Sequence, residues 1–105
     1  MKYFPIFLDA NYISAMIIGG GEVASRKIEL LLKSTVNITI MSKDVCAGVE
    51  RLINLHKLTW LKHNYQPGHF SHINIVIAAT DDNVINETVA EESRSLNILT
   101  NVVDQ

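Results

Sequence analysis

Ala15-Met-Ile-Ile18 runs straight into Gly19-Gly-Gly21, and Glu22-Val-Ala-Ser-Arg26 leaves the glycines with helical patterning. An unbroken apolar run that meets a glycine cluster and continues as an amphipathic stretch reads as a buried strand turning sharply into a helix. Gly19, Gly21 and Ala24 stand at the fixed places of G-x-G-x-x-G/A. In that pattern the first glycine permits the turn and the second lets backbone approach a pyrophosphate. The small third residue lets the helix pack close to the strand. The helix start adds N–H groups and a positive dipole end. Gly19, Gly20 and Gly21 therefore predict a dinucleotide-binding turn, against the bland alternative of a plain structural turn. The turn alone leaves NAD, NADP, FAD and S-adenosylmethionine open.

The rest of the chain alternates in the manner of an α/β sheet. Strands are expected at Ser14–Gly19, Val36–Met41, Leu58–Lys62, Ile73–Ala79 and Ile98–Val103. The third is the more exposed and belongs near an edge. Helices are expected from Glu22 to about Lys33, Asp44 to about His56, and Asp82 to about Ser95. Their inner faces are Ala24, Ile28, Leu31 and Leu32, then Val45, Val49, Leu52 and Ile53, then Ile85, Val89 and Leu96. Acidic residues are expected to complement the dipole in the third helix's first turn. With short connections, the order β-α-β-α-β-β-α-β predicts a Rossmann-type open, mostly parallel sheet of about five strands with helices on both faces.

A length of 105 residues bounds this to one domain, residues 1–105, short for a complete two-half dinucleotide fold. The hydrophobic fraction of 48% and the charged fraction of 19% suit a buried sheet rather than disorder. A net charge of −2 argues against a nucleic-acid surface. The single cysteine, Cys46, excludes an internal disulfide and fits a reducing cytoplasm. No signal-peptide pattern and no membrane-spanning apolar run is legible, so a soluble cytoplasmic domain is expected.

Ligands in such sheets sit at the carboxyl ends of the strands. Three of these ends carry suggestive residues: Gly19–Gly21, Thr80-Asp81-Asp82, and Asn101 to Asp104. All three should share one sheet edge. After the second strand, Met41-Ser42-Lys43-Asp44 puts no acid directly at the strand end. Ser42 can bond a ribose hydroxyl, and Asp44 can do the same or start the next helix. Lys43 can meet a 2′-phosphate, which keeps NADP open beside NAD. Thr80, Asp81 and Asp82 read as helix capping or as contacts to a dinucleotide crossing the edge. Asp104 reads as a turn residue or as a general base beside a nicotinamide. The spacing of His56, His63, His69 and His72 matches no compact ligand motif, so no metal site is expected. Cys46 reads as a small core side chain.

Taken together, Pro5-Ile-Phe7, Gly19-Gly-Gly-Glu-Val-Ala24, Arg26-Lys27, Ala78-Ala-Thr-Asp-Asp82 with Asn86, and Asn101-Val-Val-Asp104 resemble the N-terminal NAD-binding domain of the siroheme synthase family. The resemblance covers essentially the whole chain. It implies NAD-dependent oxidation of precorrin-2, a tetrapyrrole, to sirohydrochlorin, and in many members insertion of ferrous iron. It implies that Asp104 serves both reactions and that Glu22 and Val23 contact the dinucleotide through backbone. Lys43 and Asp44 would then lie near the adenosine ribose, which turns the cofactor choice to NAD. The family forms homodimers through a region that follows this one, so the chain is expected to stop before the dimerisation and helical parts. Thr35 replaces a glycine that usually ends the first helix, and a glycine-basic pair is missing near Asn11-Tyr12. A non-catalytic NAD(H)-sensing module is the alternative, although it has no use for Asn-Val-Val-Asp at the last strand.

Overall fold

The computed structural model describes residues 2–34 and 37–103. After a short 3-10 turn at Ala10–Tyr12, the elements follow the expected alternation. They are β1 (Ser14–Ile18), α1 (Glu22–Leu31), β2 (Asn37–Met41), α2 (Ala47–His56), β3 (Thr59–Leu61), β4 (Ile75–Ala78), α3 (Asn83–Ser95) and β5 (Leu99–Val102). The strands form one sheet in the order β3-β2-β1-β4-β5, and every pairing is parallel. This is the Rossmann-like α/β arrangement that the patterning predicts.

Both faces of the sheet are covered at its centre, which is why the central strands β1 and β4 are nearly all apolar. Ile17, Ile38, Ile40 and Ile77 point to one side and pack with Ala24 and Ile28 of α1 and Val49, Leu52 and Ile53 of α2. Met16, Ile18, Met41, Val76 and Ala78 point to the other, against Val89 of α3 and Phe70. Each fully buried Ile or Val contributes about 1.5–3 kcal/mol by leaving water. Ala24, with no exposed surface, lets α1 lie close on the strands, so a larger side chain would lift the helix.

The differences from expectation have local causes. β3 and β4 are each shorter than expected, so their helix-free connection runs over residues 62–74. β3 and β4 run parallel in one sheet with β2 and β1 between them, so the chain must cross over, and here an irregular segment does so, burying Phe70 against the sheet. Helix α2 begins at Ala47 rather than Asp44, because Asp44–Cys46 form a loop tied to the glycine turn. Asp82 caps α3 from outside, and no acid lies in its first turn. Leu96 is 52% exposed rather than inward, since it follows the last turn, where Asn97 takes a left-handed conformation with φ 58°. Helix α1 is followed by Leu32 in right-handed conformation, φ −68°; Thr35 and Val36 lie outside the described residues. Among the described residues, no helix is long and apolar enough to cross a membrane.

Candidate functional site

Parallel pairing puts every strand's carboxyl end on the same edge. Ile18 of β1 is level with Met41 of β2 and Ala78 of β4, and Ala78 is level with Val102 of β5. The backbone ladder runs one step further. Gly19 N–H donates to the Met41 carbonyl at 3.1 Å, Ala79 N–H to Ile18 at 2.8 Å, and Val103 N–H to Ala78 at 3.1 Å. The strand ends expected to converge do so as far as Val103. Asp104 lies outside the described residues.

A cleft of about 680 Å³ opens at this edge. It is lined by Gly19, Gly20, Gly21, Glu22 and Val23 from the glycine turn, and by Ser42, Lys43 and Asp44 from the loop after β2. Thr80 and Asp81, after β4, complete the set of sequence-predicted residues. Besides Asp82 and the strand-end residues Ile18, Met41 and Ala79, the lining includes five residues not anticipated at the site: Val45, Cys46, Asn64, Tyr65 and Ile85. Asn64 and Tyr65 come from the irregular crossover. The signal for them was their place just after β3, whose end Leu61 is level with Met41 at the carboxyl edge. Asn101, Val102 and Val103 do not line the cleft.

The three glycines meet three different demands. Gly19 has φ +129°, and a Cβ there would stand 2.4 Å from the Ala79 carbonyl oxygen. At Gly20 a Cβ would stand 2.4 Å from the Asp44 carbonyl oxygen. At Gly21 nothing lies within 4 Å, so the protein's own packing gives no reason for the absent side chain. The space is open on the cleft side, which fits the close approach of a pyrophosphate.

The two helix starts at this edge differ. Asp82 accepts from the N–H groups of Val84 at 2.9 Å and Ile85 at 3.3 Å, so α3 carries its own carboxylate cap. Gly21 offers α1 no side-chain cap. The first N–H groups of a helix have no intrahelical acceptor, so the start of α1 is suited to an anion.

The turn after β4 is held from within. Asn86, 1% exposed, accepts from Thr80 N–H at 3.2 Å and from Thr80 Oγ1 at 2.7 Å, while its amide donates to the Thr80 carbonyl at 3.1 Å. Thr80 thus supports the cleft wall through Asn86, and the capping role expected of this segment falls to Asp82. Ser42 also uses its hydroxyl internally, donating to the Asp44 carbonyl at 2.6 Å. Lys43 and Asp44 are exposed at the rim.

Tyr65 is fixed by Glu92 of α3. One carboxylate oxygen of Glu92 accepts the phenol, and the other accepts Gly68 N–H at 2.8 Å. Burial, then the bond to Glu92 and its negative charge, push the phenol well above the usual tyrosine range. Cys46, half-buried, packs against the core, as expected of a small apolar side chain, and also lines the cleft wall. Among the described residues no group of three or more His, Cys, Asp or Glu is placed to hold a metal ion; the His63 and His69 rings lie 5.1 Å apart.

Residues 6–105 match a family described as "Putative NAD(P)-binding". The siroheme synthase of Pseudoalteromonas atlantica is 38% identical over 104 residues, which are 99% of this chain and 22% of that protein. The siroheme synthase of Sodalis glossinidius is 36% identical over the same shares. The chain therefore spans about a fifth of the length of these relatives. A solved structure titled "SirC, precorrin-2 dehydrogenase" is similar in fold, with a TM-score of 0.78 at 22% identity over 94% of this chain and 48% of that one. NAD, the cofactor that the sequence resemblance implies, is of the class that the family description names.

Proposed function

The chain belongs to this NAD(P)-binding family, and from that membership we propose that its cleft binds NAD for the oxidation of precorrin-2 to sirohydrochlorin in siroheme biosynthesis. The observation that carries the reading is the open face of Gly21 beside the uncapped start of α1, where the strand ends meet. Similarity to siroheme synthases along nearly the whole chain supports the substrate.

When bound, NAD supplies the acceptor for a hydride leaving a ring carbon of the tetrapyrrole. The chain's part is to bind, orient and move a proton. The N–H groups of Glu22 and Val23, at the start of α1, hold the pyrophosphate. Ser42, Lys43 and Asp44 take the adenosine ribose. No described residue hydrogen-bonds the Asp44 carboxylate, which leaves it to accept from ribose hydroxyls and favours NAD over NADP. Thr80 and Asp81 border the path across the sheet edge. Asp104 is assigned as the base whose carboxylate accepts the proton lost as the macrocycle gains conjugation. Support for this comes from Val103, which brings the chain to the cleft's edge of the sheet. In the second reaction Asp104 takes pyrrole protons as ferrous iron, a substrate, enters the ring. The reading includes a cytoplasmic setting and a homodimer built by the longer protein.

Calorimetric titration with NAD and NADP tests the cofactor, with NAD expected to bind more tightly. Anaerobic incubation with precorrin-2 and NAD, followed by NADH absorbance, tests the reaction in the full-length protein. Asp104→Ala should lose both activities there while keeping NAD binding. A variant retaining either activity would remove Asp104 from that reaction.

A further inference from the structure

The loop from β2 to α2 carries the residues that would meet the adenosine ribose, yet Lys43 and Asp44 are exposed and α2 starts without a side-chain cap. What holds this loop is a set of ties to its neighbours. Ser42 N–H donates to the Leu61 carbonyl at 3.1 Å, and at the far end Cys46 N–H donates to the Gly20 carbonyl at 2.7 Å. Between them the Ser42 hydroxyl closes the loop on the Asp44 carbonyl. The remaining tie is the Trp60 indole, whose Nε1–H donates to the Ser42 carbonyl at 2.8 Å. Among the described residues it is the one tie from a side chain outside the loop.

We propose that Trp60 is a positioning residue for dinucleotide selection, holding the Ser42–Asp44 loop in the arrangement that presents Asp44 rather than Lys43 to the adenosine ribose. The inference rests on the cleft being the dinucleotide site. Discrimination between a free 2′-hydroxyl and a 2′-phosphate is a contest between a carboxylate that accepts from the hydroxyls and a cation that pairs with the phosphate. Here the two contestants are neighbours, so a small rotation of the loop exchanges them. With the Ser42 carbonyl fastened to Trp60 and the Asp44 carbonyl fastened to Ser42, that rotation breaks hydrogen bonds. Trp60 is itself well held for the task. It packs against the core beneath α1 and α2, and the Lys62 ammonium lies 4.5 Å from its ring centroid.

The test compares the wild-type chain with Trp60→Phe, which keeps an aromatic ring and loses the N–H. NAD, NADP and AMP are titrated by calorimetry, with thermal unfolding run beside them. The expected result is a loss of about three- to tenfold in affinity for NAD, the size of one hydrogen bond. AMP should lose the same factor, and the ratio of NAD to NADP affinity should fall. If Trp60→Phe does not fold, 3-benzothienylalanine at position 60, which has the shape of tryptophan without its N–H, takes its place. Unchanged NAD affinity, an unchanged NAD to NADP ratio, or a NAD loss that AMP does not share overturns the inference. A folded wild-type chain that binds neither dinucleotide overturns the cofactor reading, and this inference with it.

Discussion

The carbonyl oxygen of Asp44 occupies the place that a side chain on Gly20 would need, 2.4 Å from where its Cβ would stand. Gly20 is the variable position of G-x-G, where the dinucleotide pattern itself makes no demand. The demand comes from the loop after β2, which leans on the glycine turn and is tied to it by the Cys46 N–H. The glycine turn and the loop after β2 are therefore packed and hydrogen-bonded together.

Three adjacent glycines should accordingly fail in different ways. Gly19→Ala meets the Ala79 carbonyl in a left-handed backbone, and Gly20→Ala meets Asp44 together with Val45 and Ser42. Each should lower stability by about 1–3 kcal/mol. Gly21→Ala meets nothing, so its stability should stay within about 0.5 kcal/mol of wild type. Its NAD affinity should nevertheless fall by about tenfold or more, roughly 1.4 kcal/mol. Thermal unfolding paired with titration checks all three, and a Gly21→Ala chain that binds NAD normally would remove the pyrophosphate from this turn.

Asn86 makes three hydrogen bonds to Thr80 from a buried position. Asn86→Ala leaves half-buried backbone groups of Thr80 without that partner and should cost about 1–3 kcal/mol. Asn86→Asp keeps the acceptor but loses the amide donor to the Thr80 carbonyl, so it too should destabilise. Denaturant unfolding of both variants measures this, and a neutral Asn86→Ala would show that the turn holds without Asn86.

The raised pKa of Tyr65 makes a signed prediction. A group that holds its proton more tightly when folded contributes stability that is full below its unfolded pKa, about 10 for tyrosine, and that fades as pH rises beyond it. The unfolding free-energy difference between wild type and Tyr65→Phe should be constant from about pH 7 to about pH 9 and shrink above about pH 10. A difference that stays flat to about pH 11 would show that burial and the Glu92 contact together do not raise the phenol.

Cys46 is the chain's single cysteine and lies in the wall of the cleft. Saturating NAD should slow its alkylation by iodoacetamide, read by mass spectrometry on the intact chain. An unchanged rate would place the bound dinucleotide away from this wall.

Most of the scaffold was legible because its signals are local. Val49, Leu52 and Ile53 repeat at helical spacing and are buried on α2, while the neighbours Ile17 and Ile18 are buried on opposite faces of the sheet, as their apolar run requires. All ten residues expected to bind the cofactor line one cleft, since parallel strands bring their carboxyl ends to one edge whatever the loops do. Less legible were features that depend on distant contacts. The start of α2 at Ala47 follows from the Cys46–Gly20 hydrogen bond, across 26 residues of chain. Phe70, Tyr65 and Asn64 lie in a segment with no periodicity, so nothing in their spacing announces that one is core and two are cleft wall.

The amino-acid order by itself determined the alternation of strands and helices, the strand-to-helix glycine turn, and the edge of the sheet where a ligand can sit. These follow from apolar periodicity and from the backbone freedom of glycine, which act over a few residues. Only the tertiary structure decided that Gly20 answers to Asp44, that Trp60 holds Ser42, and that Glu92 brings Tyr65 to the cleft. Each joins residues 18 or more apart, and such pairs meet only when the sheet order sets strands and crossovers side by side.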